Sequence, residues 1–288
     1  KYLLLENVKG FNSPFEKKHG KKSLPYSQIV KQRLELAGYQ VFFDVLKSSD
    51  WGVPQRRPRF ILIAIRKDIF EANPLCPFTQ LSSSRATFLR SKGLCSKSPV
   101  TVRDAIHDLE QTGKELIDAL DSPIKGFKQI KYRQPNDIGN YLRIMRHGIK
   151  VDKSPCGLRI PRHSATVIER FTLILRECPK GRSLSTENRE QFGTKKHALT
   201  PLDGNAPSAT VTTLPDDILH YSEPRILTVR EMARIQSFPD HYEFKGPYTT
   251  GGHLRKHSCP KYTQVGNAVP PLLGEALGKL LNKINVVS

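Results

Sequence analysis

The sequence predicts an open α/β sheet joined to an irregular basic module. Three observations carry that reading. Phe60-Ile61-Leu62-Ile63-Ala64-Ile65 is a continuous apolar run, the mark of a strand buried on both faces of a parallel sheet. Strand, helix and strand patterns precede it over residues 2–46, an alternation typical of α/β chains. Near the other end, Leu273, Leu277, Leu280, Leu281 and Ile284 recur at helical spacing, and such a face must pack on something large.

Residues 2–8 read as a buried strand ending in Glu6-Asn7-Val8. Residues 9–24 form a loop rich in Lys9, Lys17, Lys18, Gly20, Lys21 and Lys22, expected to be mobile and to favour a phosphate backbone. Ser27 to Ala37 is a helix with apolar Ile29, Val30, Leu34 and Leu36, closed by Gly38. Tyr39 to Leu46 is the next strand. The loop Trp51-Gly52-Val53-Pro54-Gln55-Arg56-Arg57-Pro58-Arg59 then brings three guanidiniums to the start of the apolar strand. Arginine's planar fork matches paired acceptors; a solvated basic loop is the alternative reading.

From residue 67 proline, serine, lysine and threonine become frequent and long periodic patterns vanish. Short helices are predicted at Val102 to Gln111 and Ala165 to Arg176. The basic stretch between them includes Lys128, Lys131, Arg133, Arg143, Arg146 and His147. Residues 67–222 therefore read as a separate module, in which Thr210 and Thr212 are expected to lie on a strand. Order returns at Arg225. Thr228 and Glu231 make a capping-box pattern for a helix Val229 to Phe238 that stops at Pro239. Gln264-Val265-Gly266-Asn267-Ala268-Val269-Pro270-Pro271 leads into the terminal helix, with proline suited to its first turn.

A chain of 288 residues suffices for one large domain or two modest ones. Its 46 lysines and arginines outweigh 27 acidic residues, giving a formal charge of +19. That excess points to a polyanion, nucleic acid first, although a purely structural basic protein would fit the number as well. Cys76, Cys95, Cys156, Cys178 and Cys259 are odd in number and widely spaced, without a C-x-x-C, so neither a disulfide framework nor a zinc ribbon is indicated. A reducing compartment is the simplest setting. No apolar run approaches the roughly 20 residues that span a bilayer, and no signal peptide is visible. Lys1 runs straight into a strand, which leads us to expect further sequence upstream.

Four segments in fixed order then carry a resemblance: Glu6-Asn7-Val8, Gln55-x-Arg57-x-Arg59, Arg225 to Pro239 (RILTVREMARIQSFP) and Gly266-Asn267-Ala268-Val269. The chain resembles the second half of the cytosine-5 DNA methyltransferases over residues 1–66 and 206–288. The resemblance implies part of a Rossmann-like methyltransferase sheet in residues 1–66, a small irregular target recognition domain in 67–222, and a return segment with the terminal helix in 223–288. It implies S-adenosyl-L-methionine as cofactor and double-stranded DNA as partner. In that chemistry a cytosine is flipped from the duplex and a cysteine thiolate adds to ring carbon 6. Ring nitrogen 3 must then be protonated or strongly hydrogen-bonded, work for a carboxyl group in a partly desolvated pocket with a raised pKa. Glu6 is that residue by resemblance. Arg59 would hold the cytosine carbonyl oxygen. Arg57 and Gln55 would brace the pocket and the flipped nucleotide's phosphate. Asn267 and Ala268 would lie near the methyl donor, and Asn267 could equally cap the last helix. Thr228, Glu231 and Arg234 look architectural.

Two pieces of the family pattern are absent from the sequence. The glycine-rich cofactor loop is not found, since Gly251-Gly252 and Gly266 stand in other contexts, and no Pro-Cys-Gln segment supplies the nucleophile. Pro155-Cys156 is followed by Gly157 and reads as a decoy. The resemblance therefore implies the carboxy-terminal part of a methyltransferase of a restriction–modification system, in a prokaryotic cytoplasm and nucleoid-associated. Its missing amino-terminal half would belong to the same chain or to a separate subunit, and this chain alone would be inactive. A non-catalytic DNA-binding specificity subunit and an RNA methyltransferase are the alternatives.

Overall fold

The computed structural model describes residues 1–15, 23–72, 74–196, 198–248 and 258–287. The lysines at 17, 18, 21 and 22 and the Gly251-Gly252 pair lie outside the described residues. In chain order the elements are β1 (Tyr2–Val8), α1 (Tyr26–Leu36), β2 (Tyr39–Lys47), β3 (Pro58–Arg66), α2 (Lys67–Ala72), α3 (Pro77–Ser91), α4 (Val102–Ile106), β4 (Leu116–Asp118) and β5 (Lys128–Ile130). They continue with α5 (Asn140–Met145), α6 (Ala165–Glu177), α7 (Thr186–Gln191), β6 (Thr200–Pro201), β7 (Ile218–Leu219), α8 (Val229–Ile235), α9 (Lys261–Asn267) and α10 (Pro271–Val287).

The principal sheet has the order β1-β3-β2, and β3 is antiparallel to both neighbours. This corrects the parallel sheet expected from the apolar run. The reason is connectivity: β2 returns to β3 through Ser48–Arg57, which holds one 3-10 turn at Ser48–Trp51 and no crossover helix. The burial that suggested a parallel sheet is real, because β3 is central and covered on both faces. Ile61, Ile63 and Ile65 enter the main apolar cluster, while Phe60, Leu62 and Ala64 pack with Val30 and Leu34 of α1. Gly38, at φ 85°, ends α1 as its position predicts.

The main cluster joins Ile61 and Ile63 of β3 to Leu81 and Phe88 of α3, Val102 of α4, Leu227, and Leu273, Leu277 and Leu280 of α10. Packing therefore runs across residue 66: the Trp51 and Phe88 rings meet edge-on with centroids 5.8 Å apart. The helix expected at Val102 to Gln111 is shorter. A capping box between Thr101 and Asp104 starts it, and it gives way to a 3-10 turn at His107–Leu109. There Asp108 turns inward to accept from Arg234 Nη1 at 2.5 Å and from the Tyr132 hydroxyl at 2.8 Å. The segment around Thr210 and Thr212 forms no strand, correcting that expectation; the Thr212 hydroxyl instead donates to Asp217 Oδ2 at 2.6 Å.

Every residue of α8 is buried, including Arg230, Glu231 and Arg234. Thr228 and Glu231 form the predicted capping box. Arg225 donates to Glu231 Oε1 and Oε2, both at 2.8 Å, and to Glu223. Burial works to raise the Glu231 carboxyl, but the Arg225 guanidinium outweighs it and holds the group at about 2. Arg234 reaches Asp108 and also Asp240, at 2.7 Å. Breaking one partner of such a buried pair costs roughly 3–5 kcal/mol, so the charges on α8 serve to lock the return segment in place. No helix among the described residues is long and apolar enough to cross a membrane.

Candidate active site

The register of β1 on β3 builds the first part of the site. Val8 lies opposite Arg59 and Glu6 opposite Ile61, so Glu6 and Arg59 are diagonal neighbours on one face at the end of the sheet. Their side chains meet: Arg59 Nε donates to Glu6 Oε1 at 2.6 Å, with side-chain exposures of 7% and 24%. Arg59 Nη1 donates to its neighbour's carbonyl, Pro58 O, at 2.9 Å. Nη2 has no acceptor among the described residues, which leaves its two N–H groups for an incoming oxygen. Burial lowers the Arg59 pKa, against the opposing pull of Glu6.

Arg57 faces inward and works as a clamp. Its Nη1 donates to Val211 O at 2.7 Å and its Nη2 to Gly266 O at 2.6 Å. Burial, aided by the nearby charge of Arg59, lowers this guanidinium to about 10. Gln55, fully buried, donates to Gln236 Oε1 at 2.9 Å and accepts from Val211 N at 2.8 Å. Gln236 in turn donates to Val265 O at 2.8 Å. These two side chains thus brace the loop before β3 against segment 209–213, the end of α8 and the end of α9. Gln55 and the two terminal nitrogens of Arg57 are thus committed to protein, whereas Arg57 Nε is buried without a partner among the described residues. Arg56 is exposed and donates to Gly181 O at 3.0 Å.

Gly266 owes its identity to close approach. A Cβ there would stand 2.3 Å from Thr212 O and 2.5 Å from Thr212 C. Asn267 is exposed at the end of α9, and Ala268 is half-buried against the main cluster. The first turn of α10 is capped elsewhere: Leu272 N donates to Ser237 Oγ at 3.1 Å. Ser237 is the one non-glycine residue at positive φ among the described residues, at 64°. A left-handed serine closing α8 leaves no trace in sequence, and neither does the Gln55–Gln236 pairing across 181 positions.

Two of the cysteines are engaged in contacts of their own. Cys156 Sγ contacts Glu243 Oε1 at 3.4 Å, and burial, then Glu243, raise its thiol pKa. Its carbonyl accepts from Arg230 Nε at 2.7 Å, tying it to α8. Cys178 is buried in a second apolar cluster with Ile174 and Leu199.

A family model for C-5 cytosine-specific DNA methylases matches residues 1–283. The chain belongs to this family. The type II methyltransferase M.DdeI of Desulfomicrobium norvegicum is 27% identical over 98% of this chain and 63% of its own length. The chain thus spans less than two thirds of that relative. M.AquIB, a type II methyltransferase of Picosynechococcus, is 39% identical over 123 residues, 42% of this chain and 83% of its own length. A solved structure described as a DNA modification methyltransferase encoded within an E. coli prophage matches with a TM-score of 0.61 at 22% identity. That match covers 98% of this chain and 69% of that one, and the likeness concerns the fold.

Membership makes the α/β methyltransferase fold and S-adenosyl-L-methionine, the cofactor of C-5 DNA methyltransferases, those of this chain's family. The residues described here do not enclose such a group. Asn267 and Ala268 form one turn, and neither lines the clefts of about 490 and 470 Å³ on either side of α3 and the loop after it. They offer an edge, not a pocket.

Proposed function

We propose that this chain supplies the base-holding and DNA-recognition part of a cytosine-5 DNA methyltransferase of the restriction–modification type, acting in a bacterial cytoplasm on chromosomal DNA. The observation that carries the reading is the Glu6–Arg59 pair at the sheet end, where a carboxyl group and a guanidinium with spare donors sit side by side. Together they match the nitrogen 3 and carbonyl oxygen of a flipped cytosine, as carboxyl and cation must when charge builds on the ring. Residues 67–222 are the recognition module in this reading, and 223–288 lock it to the sheet through α8. Asn267 and Ala268 face the methyl donor.

The nucleophile comes from elsewhere, because the sequence holds no Pro-Cys-Gln segment. Two observations support a partner for the sheet, either an amino-terminal half or a separate subunit. Among the described residues β1 pairs with β3 alone, leaving its other edge open. On the same face as Glu6, Leu4 and Val8 are 38% and 55% exposed. The shortness of M.AquIB shows that a chain named as a type II methyltransferase can be smaller than this one.

Competition binding tests the substrate class. Labelled duplex DNA bound to the chain is expected to be displaced by unlabelled duplex and poorly by tRNA, whose A-form shape and 2′-hydroxyls alter the contact surface. Displacement by tRNA at equal or lower concentration would favour an RNA substrate instead.

A further inference from the structure

A column of cations and rings stands at the start of α9. Lys261 Nζ lies 4.4 Å from the Tyr248 ring centroid, and the Arg159 guanidinium lies 3.9 Å from the same ring. Arg159 is also 4.0 Å from the Phe127 centroid, and Arg162 is 4.1 Å from it. Asp121 anchors the inner end, accepting from the Tyr248 hydroxyl at 2.6 Å, Lys261 Nζ at 3.1 Å and Gly157 N at 2.9 Å. Burial falls along the column, from Tyr248 and Lys261 (buried) through Arg159 and Phe127 (half-buried) to Arg162 (exposed). Arg159 Nη1 reaches Ser122 Oγ at 3.3 Å, whereas the Arg162 guanidinium has no hydrogen-bond acceptor among the described residues.

The geometry points to Arg162, seated over the ring of Phe127, as a side chain that reads guanine in the duplex bound by this protein. This rests on the double-stranded DNA substrate proposed above. Contact with the ring restrains the guanidinium and leaves its donors unpartnered, so that its fork can meet the paired O6 and N7 acceptors of guanine in the major groove. A phosphate contact needs charge but no such restraint, and a lysine would serve it. The inner end of the column is joined to the Arg57 clamp through α9. Lys261 and Gly266 are near opposite ends of α9, a helix of seven residues and so about 10 Å long, and Gly266 is the residue that Arg57 grips.

The test is selection of binding sites from a randomised duplex pool by the full chain and two variants, with thermal unfolding measured in parallel. The unsubstituted chain should enrich a motif containing guanine. Arg162→Gln should lose the preference at one guanine position, bind the original motif about ten- to a hundredfold more weakly, and unfold at the same temperature. Phe127→Leu keeps both cations but removes the ring contact, and should relax the same position. A motif unchanged in both variants, or weakening by Arg162→Gln that is equal for all duplexes with the salt slope reduced by about 1, would overturn the assignment while leaving the DNA reading intact. Failure of the unsubstituted chain to enrich any motif would overturn both.

Discussion

Glu6→Gln is expected to lower methyl transfer by about a hundred- to ten-thousandfold while duplex affinity stays nearly unchanged. Glutamine keeps the size and one hydrogen bond of the carboxyl group but cannot deliver or take a proton at the cytosine ring. It also removes the charge that meets Arg59 Nε at 2.6 Å. Glu6 is not part of the buried framework: its side chain is 24% exposed at a sheet end, so the fold should survive the change. The measurement is radiolabelled methyl transfer and duplex binding by the protein supplied with its nucleophile-bearing part. A matched loss of turnover and affinity would demote Glu6 to a structural partner of Arg59, and unchanged turnover would remove it from the chemistry.

Gly266→Ala should destabilise the chain by about 3 kcal/mol, from overpacking and a disturbed charge-assisted hydrogen bond. The added Cβ would meet Thr212 O at 2.3 Å, Thr212 C at 2.5 Å and Thr213 N at 2.7 Å, all backbone atoms with no rotamer to yield. Relief requires α9 and segment 209–213 to part. That movement pulls Gly266 O away from Arg57 Nη2, now 2.6 Å distant, inside a clamp that also holds Val211 O. Gly274→Ala is the control. Its Cβ would meet nothing within 4 Å, and alanine in the helical interior should stabilise by about 0.5–1 kcal/mol. Urea midpoints of the two variants should move in opposite directions. If they move alike, close approach at Gly266 is not what its position requires.

Local chemistry made much of the fold legible. The apolar run 60–65 is a strand covered on both faces, Gly38 closes a helix, and Thr228 with Glu231 caps another. Strand direction was not legible, because a two-sided strand shows the same apolar run whether its neighbours are parallel or antiparallel; only the short return Ser48–Arg57 decides it. In the site, Glu6 and Arg59 could be singled out separately, but their meeting depends on the β1–β3 register. Arg57 and Gln55 are expected from the resemblance to brace the pocket and the flipped nucleotide's phosphate; which chain segments they hold together is not legible, since their partners, Val211, Gln236 and Gly266, lie more than 150 positions away. Thr212 reads as a strand residue by propensity, yet its hydroxyl is latched to Asp217 beside the glycine that needs it close.

The central claim is that this chain holds the cytosine and another segment attacks it. Transfer of labelled methyl from S-adenosyl-L-methionine to duplex DNA measures it directly, with the purified chain alone and with a polypeptide carrying a glycine-rich cofactor loop and a Pro-Cys-Gln segment. The account predicts transfer only in the mixture, and only while Glu6 is intact. Transfer by the chain alone would contradict it.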